Sequence, residues 1–242
     1  MKTAAIIPAR YASTRFPGKP LADLLGKPMI QWVYQACQSS KLFDYVIVAT
    51  DSPEIMQAVT SFGGDCRMTS AQHQSGTDRV AEVAKSLDAE IVVNVQGDEP
   101  LIEQACLAEL LGAFAEPCVG VASLMTKITE PEDLQNPNVV KVVTTYTGDA
   151  LYFSRSSIPF NRDNVPTAYF RHIGVYAYRK ESLLMFISLP PSRLEQTEKL
   201  EQLRLLENGI KLRMVETDYQ GIGIDSPQDL QIVSALLKIR EN

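Results

Sequence analysis

The feature that most constrains this fold is the alternation of short apolar runs with amphipathic segments in the N-terminal half of the chain. T-A-A-I-I-P precedes P-M-I-Q-W-V-Y-Q-A-C, Y-V-I-V-A-T-D precedes S-P-E-I-M-Q-A-V, and I-V-V-N-V-Q-G-D precedes E-Q-A-C-L-A-E-L-L. Such alternation is typical of βαβ units, in which helices connect parallel strands. We therefore predict an α/β fold with a mostly parallel central sheet flanked by helices.

The pattern changes after Val119, where V-G-V-A-S-L-M, V-V-K-V-V-T-T, A-L-Y-F-S and F-R-H-I-G-V-Y-A-Y are rich in β-branched and aromatic residues. These runs either extend the first sheet or form a smaller antiparallel region within residues 119–180. The segment 159–167 has the proline content and polarity of a loop. A length of 242 residues suits a single domain, 1–242.

Three helix boundaries follow from local signals. The segment T-S-A-Q-H-Q-S-G-T-D-R predicts a helix that starts at Gly76 and Thr77, because apolar residues then recur at helical spacing. Leucines at positions 200, 203 and 206 predict a helix that Gly209 ends. Ser226 is the expected N-cap of the last helix, with Pro227 at its first position.

Charge and composition exclude several classes of partner. With 23 Lys+Arg against 29 Asp+Glu the net charge is -6, which argues against a broad nucleic-acid surface. No apolar run approaches the roughly 20 residues of a membrane span, and Pro8 and Arg10 interrupt the only N-terminal apolar stretch. We expect no membrane insertion and a cytoplasmic location. The four cysteines are scattered, which favours buried reduced thiols over zinc or disulfides.

The stretch I-I-P-A-R-Y-A-S-T-R-F-P-G-K-P-L, residues 6–21, places Arg10, Arg15 and Lys19 just after a predicted strand. Ligands of open α/β sheets bind at the carboxyl ends of strands, so these cations are placed to neutralise phosphates. The stretch is neither a P-loop nor a Rossmann fingerprint. An ordinary basic surface loop explains the same residues equally well.

Carboxylates follow two other apolar runs. Asp98 and Glu99 end V-N-V-Q-G-D-E-P, where Asp98 is the better candidate for Mg²⁺, although a turn residue and a solvated Glu99 are the alternative. Asp225 in I-G-I-D-S-P-Q-D precedes a helix cap, and Asp51 lies in the similar A-T-D-S-P-E-I. Either aspartate can simply favour a helix N-terminus, and spacing does not separate them.

The remaining side chains point to no other chemistry. His73 lies in a polar loop and His172 in a strand-like run, without metal-ligand spacing, and a hydrogen-bonded structural role is the alternative for His172. No G-x-S-x-G elbow is present, and the cysteines identify no nucleophile.

Taken in order along nearly the whole chain, seven stretches resemble the bacterial 3-deoxy-manno-octulosonate (Kdo) cytidylyltransferases. They are I-P-A-R-Y-A-S-T-R-F-P-G-K-P-L, H-Q-S-G-T-D-R, N-V-Q-G-D-E-P, A-L-Y-F-S-R-S-S-I-P, R-H-I-G-V-Y-A-Y-R, L-E-Q-L-R and G-I-D-S-P-Q-D-L. The resemblance implies a nucleotidyltransferase fold, usually a homodimer joined partly through the antiparallel region. It also implies conversion of CTP and Kdo to CMP-Kdo and pyrophosphate for lipopolysaccharide synthesis.

The resemblance assigns roles to residues of this sequence. The catalytic set it implies is Arg10, Lys19, Asp98 and Asp225, with Asp98 and Asp225 as Mg²⁺ ligands. The nucleotide would be bound by Pro8, Ala9, Arg10, Arg15, Lys19, Gln74, Ser75 and Gly76. The sugar would be bound by Gln96, Arg155, His172, Tyr176, Glu201 and Gln202, with Arg155 or its neighbours on the Kdo carboxylate.

Three alternatives stay open. Acylneuraminate cytidylyltransferases also begin with I-P-A-R but usually continue with G-G-S-K, where this chain has Y-A-S-T-R. An 8-amino-Kdo enzyme shares most of the motifs. A catalytically silent nucleotide-binding regulator is the alternative from another class, and the presence of Arg10, Lys19, Asp98 and Asp225 counts against it.

Overall fold

The structure is a computed structural model that describes residues 1–12, 16–224 and 226–241. Its strands are β1 (Thr3–Ala9), β2 (Asp23–Leu24), β3 (Lys27–Pro28), β4 (Tyr45–Thr50), β5 (Asp65–Met68), β6 (Ile91–Asn94), β7 (Val121–Lys127), β8 (Lys141–Thr144), β9 (Ala150–Ser154), β10 (Phe170–Arg179) and β11 (Arg213–Glu216). Its α-helices are α1 (Met29–Ser39), α2 (Pro53–Ser61), α3 (Gly76–Lys85), α4 (Gln104–Gly112), α5 (Pro131–Gln135), α6 (Lys180–Ser188), α7 (Arg193–Glu198), α8 (Leu203–Glu207) and α9 (Pro227–Glu241).

The chain divides into two compact units. Unit 1 comprises Met1–Leu107 and Gly221–Asn242, and unit 2 comprises Ala108–Gln220. The expectation of a single domain stays a prediction.

Unit 1 is built on parallel strands. β1 pairs with β4 on one side and β6 on the other, and β4 pairs with β5, so the order is β6-β1-β4-β5. Helices α1 and α3 pack against β1, and α2 packs against β4 and β5. The apolar residues of β1 from Ala4 to Ile7 are fully buried, as is usual for a parallel strand covered on both faces. The predicted parallel sheet with flanking helices is confirmed.

The parallel pairing brings strand ends to one edge. Ala9, the last residue of β1, is paired with Thr50, the last residue of β4. The pairing of β6 with β1 reaches Asn94 opposite Ile6, and Val95 then donates its N–H to the Ile6 carbonyl at 3.2 Å. The segments that begin at Arg10, Asp51 and Val95 therefore leave the sheet at its carboxyl edge.

Unit 2 is largely antiparallel. β10 is antiparallel to β7 and β8, β8 is antiparallel to β9, and β11 is parallel to β7. The register of β10 on β7 shifts between Ile173 and Tyr176, which marks a β-bulge at Gly174 and Val175. The segment 159–167 contains no strand or helix, as predicted.

Local signals set the helix ends largely as predicted. Ser75 caps α3, and Ser226 precedes Pro227, the first residue of α9, with its hydroxyl accepting from the Asp229 N–H at 3.3 Å. Gly209 follows α8 in the left-handed region at φ 71°, where glycine carries no Cβ penalty. Leu200 lies before α8 rather than inside it, because Lys199 ends α7 with φ 55°.

The cysteines are free, but they are not uniformly buried. Cys37 and Cys106 are buried, Cys66 is half-buried and Cys118 is exposed, so the expectation of buried thiols is wrong for Cys118. Burial raises the pKa of Cys37 to about 12, which leaves its thiol unreactive at neutral pH. No helix in the described part of the chain combines the length and the apolar character that a membrane crossing requires.

Candidate active site

A cavity of about 330 Å³ opens at the carboxyl edge of the sheet in unit 1. Six of the predicted site residues line it: Pro8, Ala9, Arg10, Lys19, Gln96 and Asp98. The other lining residues are Ala12, Pro20, Met29 and Gly97. Two cations and a carboxylate expected to act on phosphates and a metal therefore share one cavity.

Pro8 lines this cavity and is closely approached by two glycines, Gly97 and Gly76. A Cβ added to Gly97 would lie 3.1 Å from the Pro8 carbonyl oxygen, and one added to Gly76 would lie 3.3 Å from Pro8 Cγ. A side chain at either position would crowd Pro8, so glycine lets the turn after β6 and the start of α3 approach it closely. Pro8 is compatible with a central strand because the β6 pairing of β1 has ended at Ile6.

Lys19 holds two distant segments of unit 1 together. Its ammonium donates to Asp98 Oδ2 and to the Ile224 carbonyl, both at 2.7 Å. The Ile224 N–H in turn donates to the Asp98 carbonyl at 3.0 Å. The backbone just before Asp225 is therefore bonded to the residue predicted to share the metal with it. Asp225 itself, like Arg15, lies outside the described residues.

Asp98 and Glu99 have different surroundings. The Asp98 side chain is 30% exposed and lines the cavity. Glu99 is buried, so the alternative that it is solvated is wrong. The Glu99 N–H donates to the Gln96 carbonyl at 3.2 Å, which closes the turn that presents Asp98.

Asp51 forms an ion pair with Arg79, a buried residue that was not predicted from the sequence. Arg79 on α3 is fully buried, and its Nη2 donates to Asp51 Oδ2 at 2.8 Å. Its Nη1 donates to Thr69 Oγ1, which donates to the Thr50 carbonyl at 3.0 Å. Ser52, not Asp51, caps α2 through the Ile55 N–H. Arg79 lies one turn before Val83 on the buried face of α3, and this helical spacing was the available signal.

The start of α3 is a capping box. The Ser75 hydroxyl accepts from the Asp78 N–H at 3.1 Å, and Asp78 Oδ2 accepts from the Ser75 N–H at 3.0 Å. Glu82 on the same helix accepts from the Ser70 N–H and from His73 Nε2. These two contacts lower the pKa of Glu82, with the Ser70 N–H as the larger cause. The loop that carries Gln74 is therefore anchored to α3 on both sides.

Arg155, a predicted sugar residue in unit 2, makes contacts within its own unit. Its Nε donates to the Glu198 carbonyl at 2.8 Å and its Nη1 to the Pro137 carbonyl at 2.9 Å. The Arg155 carbonyl accepts from the buried ammonium of Lys141 at 2.7 Å. A guanidinium has five N–H groups, so three have no partner within the part of the chain that the structure describes.

Three other predicted sugar residues, His172, Tyr176 and Glu201, lie near one another in unit 2. The His172 and Tyr176 rings lie 5.3 Å apart on β10. Burial, and secondarily the charge of Glu201, raises the pKa of Tyr176 well above its usual value. Gln202 is buried, and its side-chain Nε2 has no hydrogen-bond partner among the described residues. A buried amide without a partner is costly, so this one is a candidate contact for a polar ligand.

Comparisons with known proteins identify the family of this chain. The model of the family described as "Cytidylyltransferase" matches residues 4–212. The 3-deoxy-manno-octulosonate cytidylyltransferase of Geobacter sulfurreducens is 51% identical, covering 98% of this chain and 100% of the relative. That of Flavobacterium johnsoniae is also 51% identical, covering 98% of this chain and 99% of the relative.

Solved structures identify the same family. A structure of CMP:2-keto-3-deoxy-manno-octonic acid synthetase complexed with CTP has a TM-score of 0.95 and 45% identity, covering 99% of this chain and 100% of that one. The 4-diphosphocytidyl-2C-methyl-D-erythritol synthase of Anaerococcus prevotii, at TM-score 0.65 and 16% identity, shares the fold. On these sequence and structural matches, the chain belongs to the 3-deoxy-manno-octulosonate cytidylyltransferase family.

Proposed function

We propose that this protein transfers CMP from CTP to Kdo, giving CMP-Kdo and pyrophosphate, and so supplies an activated sugar for lipopolysaccharide synthesis. The observation that carries the proposal is the cavity in which Arg10, Lys19 and Asp98 meet. It belongs to a chain about half identical, over nearly its whole length, to proteins named for this reaction.

The triphosphate lies against the basic residues of the cavity in this proposal. Arg10 and Lys19 neutralise phosphate charge, with Arg15 assigned to the same group from the sequence. The backbone of Pro8 and Ala9 faces the cytosine together with the segment Gln74 to Gly76. Because the Ser75 N–H and hydroxyl are both engaged in the cap of α3, the Gln74 side chain and the Gly76 backbone are better placed to bind the base.

Asp98 and Asp225 are the proposed Mg²⁺ ligands. Mg²⁺ prefers oxygen and commonly uses one or two protein carboxylates together with substrate phosphates. The partly exposed Asp98 carboxylate beside Lys19 fits that description. When bound, Mg²⁺ would withdraw charge from the triphosphate and from the departing pyrophosphate.

The reaction needs no nucleophile from the protein. The anomeric hydroxyl oxygen of Kdo forms a bond to the α-phosphorus while the bond from that phosphorus to the bridging oxygen breaks. The hydroxyl proton passes to solvent, and pyrophosphate carries away the bonding electrons. Arg10 and Lys19 stabilise the charge that develops on the phosphate oxygens, so positioning and electrostatics supply most of the catalysis.

The sugar is assigned to Gln96, which lines the cavity, and to Arg155, His172, Tyr176, Glu201 and Gln202. The spare N–H groups of Arg155 suit a carboxylate, and the buried Gln202 amide suits a hydroxyl. These side chains offer both donors and acceptors, as recognition of a polyhydroxylated acid requires.

Pyrophosphate release tests the proposal. Purified, folded protein is assayed with CTP and Mg²⁺ in the presence of Kdo, 8-amino-Kdo, N-acetylneuraminate or no sugar. We expect release with Kdo to exceed release with each other sugar. A preference for 8-amino-Kdo would reassign the substrate, and CTP binding without release in any arm would favour the silent regulator.

We also propose a homodimer joined through the antiparallel region of unit 2, in the cytoplasm, where CTP is available. Tyr146 next to β8 is fully exposed, Leu151 on β9 is 60% exposed and Phe160 in the following loop is 87% exposed. Large apolar side chains exposed in one region commonly mark an interface. Light scattering of wild type and of Leu151→Glu tests it: a wild-type mass of one chain contradicts the dimer.

A further inference from the structure

The hydroxyl oxygen of Ser123 lies within hydrogen-bond distance of three polar atoms. It lies on β7 and is fully buried. Its Oγ is 2.9 Å from His172 Nε2, 2.9 Å from the Val175 carbonyl oxygen and 3.2 Å from the Ile173 carbonyl oxygen. The bulge in β10 explains this geometry, because the shifted register leaves Gly174 and Val175 without partners on β7, next to the Ile173–Leu124 pair.

The protons at this site can be assigned. A serine hydroxyl has one hydrogen and two lone pairs, whereas a carbonyl oxygen only accepts. If the hydrogen pointed at His172, the lone pairs of Ser123 would face two carbonyl oxygens within 3.2 Å with no hydrogen between them. Ser123 therefore donates its hydrogen toward the two carbonyl oxygens, of which that of Val175 is the nearer, and Ser123 Oγ accepts from the His172 ring.

We infer that Ser123 fixes His172 as the neutral tautomer protonated at Nε2, so that its Nδ1 accepts a hydrogen bond from a hydroxyl of the sugar substrate. Ser123 is thus a positioning residue, and His172 recognises a hydroxyl rather than a carboxylate. The inference about the sugar rests on the proposed function, whereas the inference about the tautomer does not.

The surroundings of the ring support a neutral and fixed imidazole. The Phe153 ring contacts the His172 ring edge-on at a centroid distance of 5.1 Å. The centroid of the Tyr176 ring lies 5.3 Å from that of His172. Burial lowers the pKa of His172 to about 3, so the imidazolium that would place a donor on both nitrogens is not populated at neutral pH.

The other ring nitrogen remains available. His172 Nδ1 has no hydrogen-bond partner among the described residues. With Nε2 as the donor, Nδ1 carries a lone pair and can only accept.

The tautomer can be read directly by NMR. The chain has two histidines, so long-range ¹H–¹⁵N correlation spectra of histidine-labelled protein contain two ring systems, and His73→Gln identifies which belongs to His172. We expect a protonated Nε2 and an unprotonated Nδ1 at neutral pH. A protonated Nδ1, or a rapid mixture of the two tautomers, would overturn the inference whether or not the protein turns over Kdo.

Ser123→Ala then tests the consequence for the sugar. It should disturb the tautomer signature and raise the KM for Kdo about twofold to tenfold, since only part of the ring population stays competent, while the KM for CTP stays unchanged. Ser123→Cys, which keeps a weak donor at similar size, should be intermediate. An unchanged spectrum and KM in Ser123→Ala contradict the positioning role. If either variant fails to fold, the wild-type spectrum still decides the tautomer. Absence of turnover in wild type refutes the proposed function instead.

Discussion

Asp51→Asn should destabilise the protein by more than a surface substitution can. The change removes the carboxylate that is ion-paired with the guanidinium of Arg79, which is fully buried, while the Asp51 side chain is 23% exposed. Breaking a buried ion pair on one side typically costs about 3–5 kcal/mol. Because Asp51 is partly hydrated and asparagine keeps an oxygen that can accept from Arg79, we expect about 2–3 kcal/mol.

Chemical denaturation measures this loss. Urea unfolding followed by circular dichroism should give a lower midpoint at an unchanged slope. A chain of this size should lose about 2–4 °C of Tm per kcal/mol, or about 4–12 °C in total. Asp88→Asn is the matched control, because the Asp88 side chain is 85% exposed in its pair with Lys2 and should lose less than about 1 kcal/mol.

Two results would refute the reasoning. Equal free energies of unfolding for Asp51→Asn and Asp88→Asn would mean that Asp51 does not stabilise the buried charge of Arg79. A double variant, Asp51→Asn with Arg79→Met, should recover part of the loss because no uncompensated charge remains, so a further large loss would assign the effect to packing instead. Below its transition temperature Asp51→Asn should keep Mg²⁺-dependent turnover, which separates it from the metal ligands.

Three other predictions address the sites. Asp98→Asn and Asp225→Asn should each fold but lose most Mg²⁺-dependent pyrophosphate release; near-normal activity of either would remove it from the proposed metal site. Gly97→Ala should cost about 1–3 kcal/mol in unfolding experiments and lower kcat/KM for CTP, because the added Cβ lies 3.1 Å from the Pro8 carbonyl oxygen, and wild-type kinetics would contradict the close approach. The pKa of His172 is lowered to about 3, so its contribution to stability is present above the unfolded pKa of about 6.5 and is lost as pH falls below it. Between pH 7 and pH 5 wild type should lose about 1–2 kcal/mol more than His172→Gln, and parallel pH curves would refute the assignment.

Much of unit 1 could be predicted because its signals are local. Apolar runs of the kind seen in β1, β4 and β6 specify parallel strands, and the carboxyl-edge rule then gathers Arg10 and Asp98 without knowledge of distant contacts. Ser75 and Ser226 cap α3 and α9 through hydrogen bonds to residues within four positions, so the sequence near each serine indicates where the helix begins.

Long-range pairings could not be predicted in the same way. The contacts of Arg79 with Asp51 and of Lys19 with Ile224 join segments whose separation no local pattern encodes. The role of Ser123 depends on a bulge in another strand, and a register shift leaves no mark in single-sequence periodicity.

The Lys19 contact also has a consequence for biosynthesis. Lys19 and Asp98 leave the ribosome long before Ile224, and all of unit 2 is translated between Asp98 and Ile224. Domains generally fold as units during synthesis, beginning with the N-terminal one. A nascent chain can therefore form the β1–β4–β6 sheet early, yet it cannot complete the bonding around Lys19 until residues 221–224 have emerged. Assembly of the proposed phosphate site is in this sense one of the last events in making the protein.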